Sequence, residues 1–335
     1  MSAVQDPSLT LPTPPRGDRG ASIGVARNLG LVIALVILCV VGVITAGDRF
    51  ASTDNVLTIL RLAAVTGVVA IGMTFVITGG GIDLSVGAIV ALASVWATTT
   101  GTQAMAEDVH WIVIVFSAIL VGTACGAING LLVAYGRIVP FIATLAMLAS
   151  ARGLAELLAD RKTQVLRNQG FLDFFGAEPL GIPVIVIIFA LVAVAGWFLL
   201  NRTTFGRRTF AVGGNPEAAR LAGIKVQRHT VYLYTLLGTT CGIAAVIVMS
   251  RTTVGSSTHG TLLELDVIAA VVIGGTLLTG GRGTVIGTLI GVLIFMTLTN
   301  VFTLNNLSTS TQNVAKGVII VIAVLLQQRI ANRNP

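Results

Sequence analysis

Charge is what this sequence has least of. Asp, Glu, Lys and Arg make up 10% of its 335 residues, where soluble domains average about 25%. Fourteen acids and 21 bases cannot cover a water-facing surface, which excludes an ordinary soluble fold. Lysine occurs only in DRKTQ, GIKVQ and VAKGV. None of these follows the glycines of a G-x-x-x-x-G-K-[ST] phosphate loop, so the chain is not expected to hydrolyse ATP itself. The three cysteines, Cys39, Cys125 and Cys241, lie inside apolar runs without metal-ligand spacing and read as packing residues. His110, His229 and His259 are scattered and offer no metal site. No paired catalytic groups stand at a plausible depth, so no enzymatic chemistry is expected.

Apolar residues fill the chain instead, at 54%. They gather into ten runs suited to a hydrocarbon core of ~30 Å: residues 29–47, 56–78, 84–101, 111–135, 140–158, 182–200, 231–250, 265–280, 284–304 and 312–328. The eighth is short and glycine-rich, so a partial or tilted crossing is expected there. The reading is an all-α polytopic membrane protein with about ten transmembrane helices across residues 29–330. Residues 1–28 are polar, rich in Pro and Arg, and read as a disordered cytoplasmic tail. The first apolar run lacks a small-residue cleavage site and reads as a retained span.

Lysine and arginine set the orientation. With the N-terminus in the cytoplasm, thirteen of the 21 bases fall on the cytoplasmic side, five outside, and Arg61, Arg152 and Lys316 within spans. Both termini come out cytoplasmic. The basic excess is therefore a topology signal, and no nucleic-acid partner is expected.

The longest polar stretch between spans is NRTTFGRRTFAVGGNPEAARLAGIKVQRHT, residues 201–230. It contains a short, punctuated helix. Asn215 suits an N-cap and Pro216 the first helical position, where a missing N–H costs nothing. Glu217 complements the positive end of the helix dipole. Ala218, Ala219, Leu221 and Ala222 favour helix, and Gly223 can end it. A stub this short is not stable alone. It is either an ordered loop or a knob that docks into a partner's groove, with Arg207, Arg208, Arg220, Lys225 and Arg228 available to that partner or to lipid headgroups.

TGGGIDLSVGAIVAL, residues 78–92, places three glycines and an acid between apolar runs. Gly79, Gly80 and Gly81 permit backbone turns that other residues resist. Asp83 and Ser85 can then cap the start of the third span. The alternative is an ion or proton site at a broken helix. TGGRGTVIGTLIGVL, residues 279–293, echoes this stretch weakly, and its Gly283, Gly287 and Gly291 suggest a close helix-packing face. Arg152 and Glu156 share a helix face and are expected to form an ion pair, or else to contact cargo in a pathway. Asn129, Thr144 and Met147 are further pathway candidates, or interhelical packing residues. Arg61 and Lys316 are expected to snorkel.

Four stretches carry a resemblance over most of the chain: TGGGIDLSVGAIVAL, PFIATLAMLASARGLA (140–155), FGRRTFAVGGNPEAARLAGI (205–224) and GGTLLTGGRGTVIGTLIGVL (274–293). In this order they resemble the permease subunits of ATP-binding-cassette sugar importers of the ribose, galactose and xylose type. The resemblance implies the type II importer permease fold in a prokaryotic plasma membrane. It implies a second permease copy, identical or paralogous, and an extracytoplasmic sugar-binding protein. Two cytoplasmic ATPase subunits would bind ATP and magnesium, leaving no cofactor in this chain. It maps the family's coupling helix onto Asn215 to Gly223, Arg220 included, and makes residues 79–85 a signature of architecture. Relatives that carry nucleosides or furanone signals share these features. An ion-coupled transporter using Asp83 is the competing class.

Overall fold

The computed structural model describes residues 19–332. Of the tail expected at residues 1–28, residues 1–18 lie outside the described part, and α1 (Arg19–Ala46) begins directly after them. The order continues α2 (Thr53–Thr78), α3 (Val86–Ala97), α4 (Thr100–Asp108), α5 (Ile112–Ala134), α6 (Pro140–Ala159), β1 (Gln164–Val165), α7 (Gln169–Gly176) and α8 (Val184–Arg202). Then follow α9 (Thr204–Gly214), α10 (Pro216–Leu221), α11 (Val226–Thr252), β2 (Val254–Gly255), α12 (Leu263–Ile273), α13 (Val285–Leu304) and α14 (Thr309–Asn332). Among the described residues, seven helices are long and apolar enough to cross a bilayer: α1, α2, α5, α6, α8, α11 and α13.

One expected full-length span is corrected to a half-length helix, at 84–101, and the partial crossing expected at 265–280 is found. The run at 84–101 yields only α3, and the run at 265–280 only α12, with 12 and 11 residues. At 1.5 Å per residue each reaches only about 16–18 Å, roughly half the hydrocarbon core. Apolar composition does not make helix where glycine turns and threonines intervene. The turn 79–85 holds back the start of α3, and Thr98, at its end, returns its hydroxyl to the Ser94 carbonyl at 2.9 Å. The chain leaves α12 through a glycine turn at 274–275.

These two half-length helices lie at the centre. All of α3 is buried except Trp96, and α3 packs against α5, α6 and α11. α12 sits against α2 and α13. α5 and α11 approach closely enough that a Cβ on Gly126 would meet the Gly238 Cα at 2.8 Å. The two backbones touch there because neither carries a side chain, the means by which membrane helices associate without a hydrophobic driving force. α1 stays outermost, with Val36, Ile37 and Ile44 exposed, as a lipid-facing helix requires.

At the end of the bundle away from α9 and α10, β1 pairs antiparallel with β2, Gln164 opposite Gly255 and Val165 opposite Val254. The clasp joins the loops that follow α6 and α11. Trp111 stacks on Phe174 at 4.9 Å beside Phe171 and Phe175, seating α7. Lys316 does not snorkel: its Nζ pairs with Asp266 Oδ2 of α12 at 2.9 Å and lies over the Phe295 ring. Arg61 pairs with Glu178.

Candidate functional site: a glycine joint beneath an exposed knob

Residues 215–223 form the expected stub. Asn215 Oδ1 accepts the Ala218 N–H at 3.0 Å, and Pro216 opens α10. Glu217 and Arg220 pair across one turn on the exposed side. Gly223 takes φ +82°, and the Ile224 N–H returns to the Ala219 carbonyl at 3.0 Å, closing the helix end. Ala219 is buried against the body whereas Leu221 is 91% exposed. Capped at both ends and held by one alanine, α10 projects as a knob.

What the knob rests on was not legible as a site. α9 leads into it, and its Gly213 lies directly on the Thr78 carbonyl at the end of α2. A Cβ there would fall inside the van der Waals shell of that oxygen and 2.7 Å from the Gly281 nitrogen. The Gly281 N–H donates to the same Thr78 carbonyl at 2.8 Å. Beside it, Gly80 and Gly280 both take φ +84°, and each closes a four-residue turn, onto the carbonyls of Ile77 and Leu277 respectively. A Cβ on Gly280 would stand 2.9 Å from the Gly80 Cα. The weak echo between 78–92 and 279–293 is thus a contact: two matching glycine turns meet, and the α9 end closes over them. Spacing alone gave no reason to bring Gly213 to that pair.

Asp83 departs from its expected role. It does not cap α3 directly; Ser85 is the N-cap residue, and its own side chain caps nothing. The fully buried Asp83 carboxylate accepts the Ser85 N–H at 2.7 Å and the Ser85 hydroxyl, closing a turn just ahead of the helix. Its second oxygen accepts from Asn129 Nδ2 at 3.1 Å. Three donors on one buried carboxylate offset the loss of water. Tyr234 adds a tie, donating to the Ile82 carbonyl at 3.1 Å. The turn 79–85 is therefore pinned to α5 and α11.

The five pathway candidates do not converge. Asn129 is fully buried and serves Asp83 and Ser85. Thr144 is buried too and returns its hydroxyl to the Pro140 carbonyl at 2.9 Å. Met147 packs on the core. The expected Arg152–Glu156 pair does not form. Arg152 reaches out of α6 to the carbonyls of Ser257 and His259, the latter at 2.9 Å, while Glu156 pairs with Arg161 at 3.3 Å. A guanidinium's fan of donors is better used on two loop carbonyls than on one carboxylate a turn away. In that loop His259 Nδ1 faces the Ser94 hydroxyl at 3.1 Å. Burial and the Arg152 charge push its imidazole down to about 4.

Residues 55–324 match the family described as branched-chain amino acid transport system / permease component. The chain is 45% identical over 308 residues to the ribose import permease of Bacillus subtilis, covering 91% of this chain and 94% of that protein. It is 39% identical over 303 residues to the ribose import permease of Escherichia coli, covering 89% and 92%. It is 35% identical over 340 residues to the L-arabinose ABC transporter permease of Azospirillum brasilense, covering 100% and 98%. No solved structure matches it.

Proposed function

The chain belongs to this family of transport-system permease components, and from that premise we propose that it carries a monosaccharide, a pentose or hexose, through the membrane for an ATP-driven importer. It is a transport subunit rather than an enzyme. Relatives named for ribose and L-arabinose support the sugar class. ATPase and substrate-binding subunits complete the importer. The ATPases bind the ATP and magnesium on the cytoplasmic side, where both termini of this chain also lie, and a second copy of the permease completes the pathway between the two.

One observation carries the mechanism: an exposed, doubly capped knob stands on the joint between two broken helices. α10 is the docking helix. Nucleotide-driven motion of the ATPases displaces α10, α9 moves with it, and Gly213 transmits the displacement to the turns at 78–81 and 279–283. Those turns govern α3 and α12, the half-length helices at the centre. Two short helices hinged on glycine can reorient with little unpacking of the surrounding full-length helices, which suits alternating access. Asp83 keeps its turn in one shape while this happens. Energy enters through ATP, so no ion need bind there.

The test is reconstitution of the chain with its ATPase and sugar-binding partners in liposomes. Ribose uptake and ATP hydrolysis are compared between the parent and a Glu217→Ala, Arg220→Ala, Leu221→Ala variant. The expected outcome is intact permease with uptake and sugar-stimulated hydrolysis both lost. Normal uptake in that variant would remove α10 from the mechanism.

A further inference from the structure

The turn at 223–225 separates two clefts of unlike character. On the knob side, a cleft of about 920 Å³ is bounded by Glu217 and Arg220, with Arg137 across from them. Its charges are mixed, and Glu217 already pairs with Arg220. On the other side, a cleft of about 510 Å³ lies between α9 and the start of α11. Into it come Arg208 from α9, Lys225 from the turn and Arg228 from α11, and no carboxylate among the described residues lines it. Lys225 and Arg228 also border the knob-side cleft, and Arg208 belongs to this one alone. All three side chains are exposed, and none forms an ion pair among the described residues.

The floor of this second cleft is built. His229 is buried there, its ring 4.7 Å from that of Phe205 and its Nε2 2.9 Å from the Thr209 hydroxyl. Tyr232 stands at the rim, 44% exposed, with the Arg228 guanidinium over its ring at 5.4 Å and donating to its hydroxyl. That contact holds one cation in place before any ligand arrives. Three like charges converging on one concavity repel each other at every moment it stands empty, and an anion reverses the sign of that interaction.

We propose that this cleft binds the phosphate of an anionic phospholipid from the cytoplasmic leaflet. The orientation rests on the function proposed above; the cationic cleft itself does not. The bilayer surface runs beside it. α8 presents Leu191, Val194 and Phe198 outwards and ends at Arg202, two residues before Thr204 enters the cleft wall. Tyr232 lies less than two turns into membrane-spanning α11, the headgroup level that exposed tyrosines favour. The two clefts share the wall 223–228, but only the knob-side one contains a carboxylate, Glu217, which suits it to a protein partner and the carboxylate-free one to the lipid. A lipid held here touches α9 and α11 together, and so braces the segment that leads to Gly213.

The test uses the full chain purified in mild detergent. Retained phosphatidylglycerol and phosphatidylcholine are counted by native mass spectrometry after exchange from mixed micelles. The wild type should retain phosphatidylglycerol selectively. An Arg208→Gln, Lys225→Gln, Arg228→Gln variant should lose that selectivity, by about fivefold for each charge removed. Arg220→Gln, outside the cleft, should keep it. Raised salt should weaken selective retention in the wild type and in Arg220→Gln but not in the triple variant. Three results would overturn the proposal. One is equal phosphatidylglycerol retention by the triple variant. Another is a thermal shift with inorganic phosphate as large as with dihexanoyl phosphatidylglycerol, which makes the cleft a free-phosphate site. The third is unchanged lipid retention together with loss of ATPase co-purification, which gives the cleft to the protein partner.

Discussion

Gly281 donates its N–H to the carbonyl of Thr78 across 2.8 Å, and Gly213 lies on that same carbonyl. Three segments distant in sequence meet at one oxygen atom, at the point where α2 stops. Motion of any one of them is felt by the other two, because no side chain stands between the backbones to absorb it.

Gly213→Ala should therefore uncouple the importer. The new methyl has no room, and overpacking of this kind costs about 1–3 kcal/mol. The joint opens while α10 remains on the surface. Expected in proteoliposomes is ATP hydrolysis near the parent rate with uptake strongly reduced. Gly214→Ala is the control, since its methyl meets only the Gly281 Cα at 4.0 Å. Both activities should survive there. Proportional loss of hydrolysis and uptake in Gly213→Ala would show that the joint only supports the knob.

Asn215→Ala removes the acceptor for the Ala218 N–H. Loss of an N-cap costs about 1 kcal/mol, a large share for a helix of six residues. ATPase subunits should co-purify less well with this variant. Asn215→Asp, which keeps the acceptor, should restore them. Equal co-purification of all three proteins would mean that the partner, rather than the cap, shapes α10.

Asp83→Asn replaces an acceptor with an amide that cannot accept from Ser85 and Asn129 on both sides at once. Destabilisation of about 1–3 kcal/mol is expected from the unsatisfied buried group, read as a lower melting temperature. ATP-driven uptake by the surviving protein should keep the same indifference to proton and sodium gradients as the parent. Gradient-driven uptake by the isolated parent chain, abolished in Asp83→Asn, would restore the ion-coupled reading.

The loop at 256–262 should loosen in acid. His259 has its imidazole pushed from 6.5 down to about 4 by burial and by Arg152, so the folded loop favours the neutral ring. Its stabilising contribution is complete above about 6.5 and declines as pH falls from there towards 4. Hydrogen exchange of residues 256–262, taken relative to the intrinsic exchange rate at each pH, should rise as pH falls across that window. Arg152→Gln removes the opposing charge along with the two carbonyl contacts, so the loop should begin more open and its acid response should narrow. Protection of the loop that does not change between pH 6.5 and 4 in the parent would contradict the assignment.

Much of this was legible in the sequence, for definite reasons. Asn215, Pro216 and Gly223 punctuate α10 through rules that act within one helical turn, so the stub was readable to its caps. Long spans are set by length and apolarity, properties of a contiguous run. The half-length helices were unequally readable: the glycine-rich run at 265–280 reads as partial, whereas α3 is apolar but for Ser94 and only the turns around it shorten it. Arg152 and Glu156 satisfied the spacing rule for a pair, yet each found a partner elsewhere. Spacing says which side chains can meet, and competing carbonyls and charges decide which do. Gly213, Thr78 and Gly281 were least readable. Their meeting is a matter of backbone shape, and glycine leaves no chemical trace of what approaches it.

Leu221 is the lone large apolar side chain on α10, and it stands almost wholly in the open. Stable protein interfaces bury about 1,200 Å² or more, far beyond what a six-residue helix offers. The knob is thus suited to leverage more than to adhesion. An ATPase must be held to the permease by wider surfaces as well, so the knob adds to the hold and converts the stroke. Interchange of ATPases among importers would then demand a socket of the right depth and a match to those wider surfaces, after which the permease can keep its cargo and change its engine.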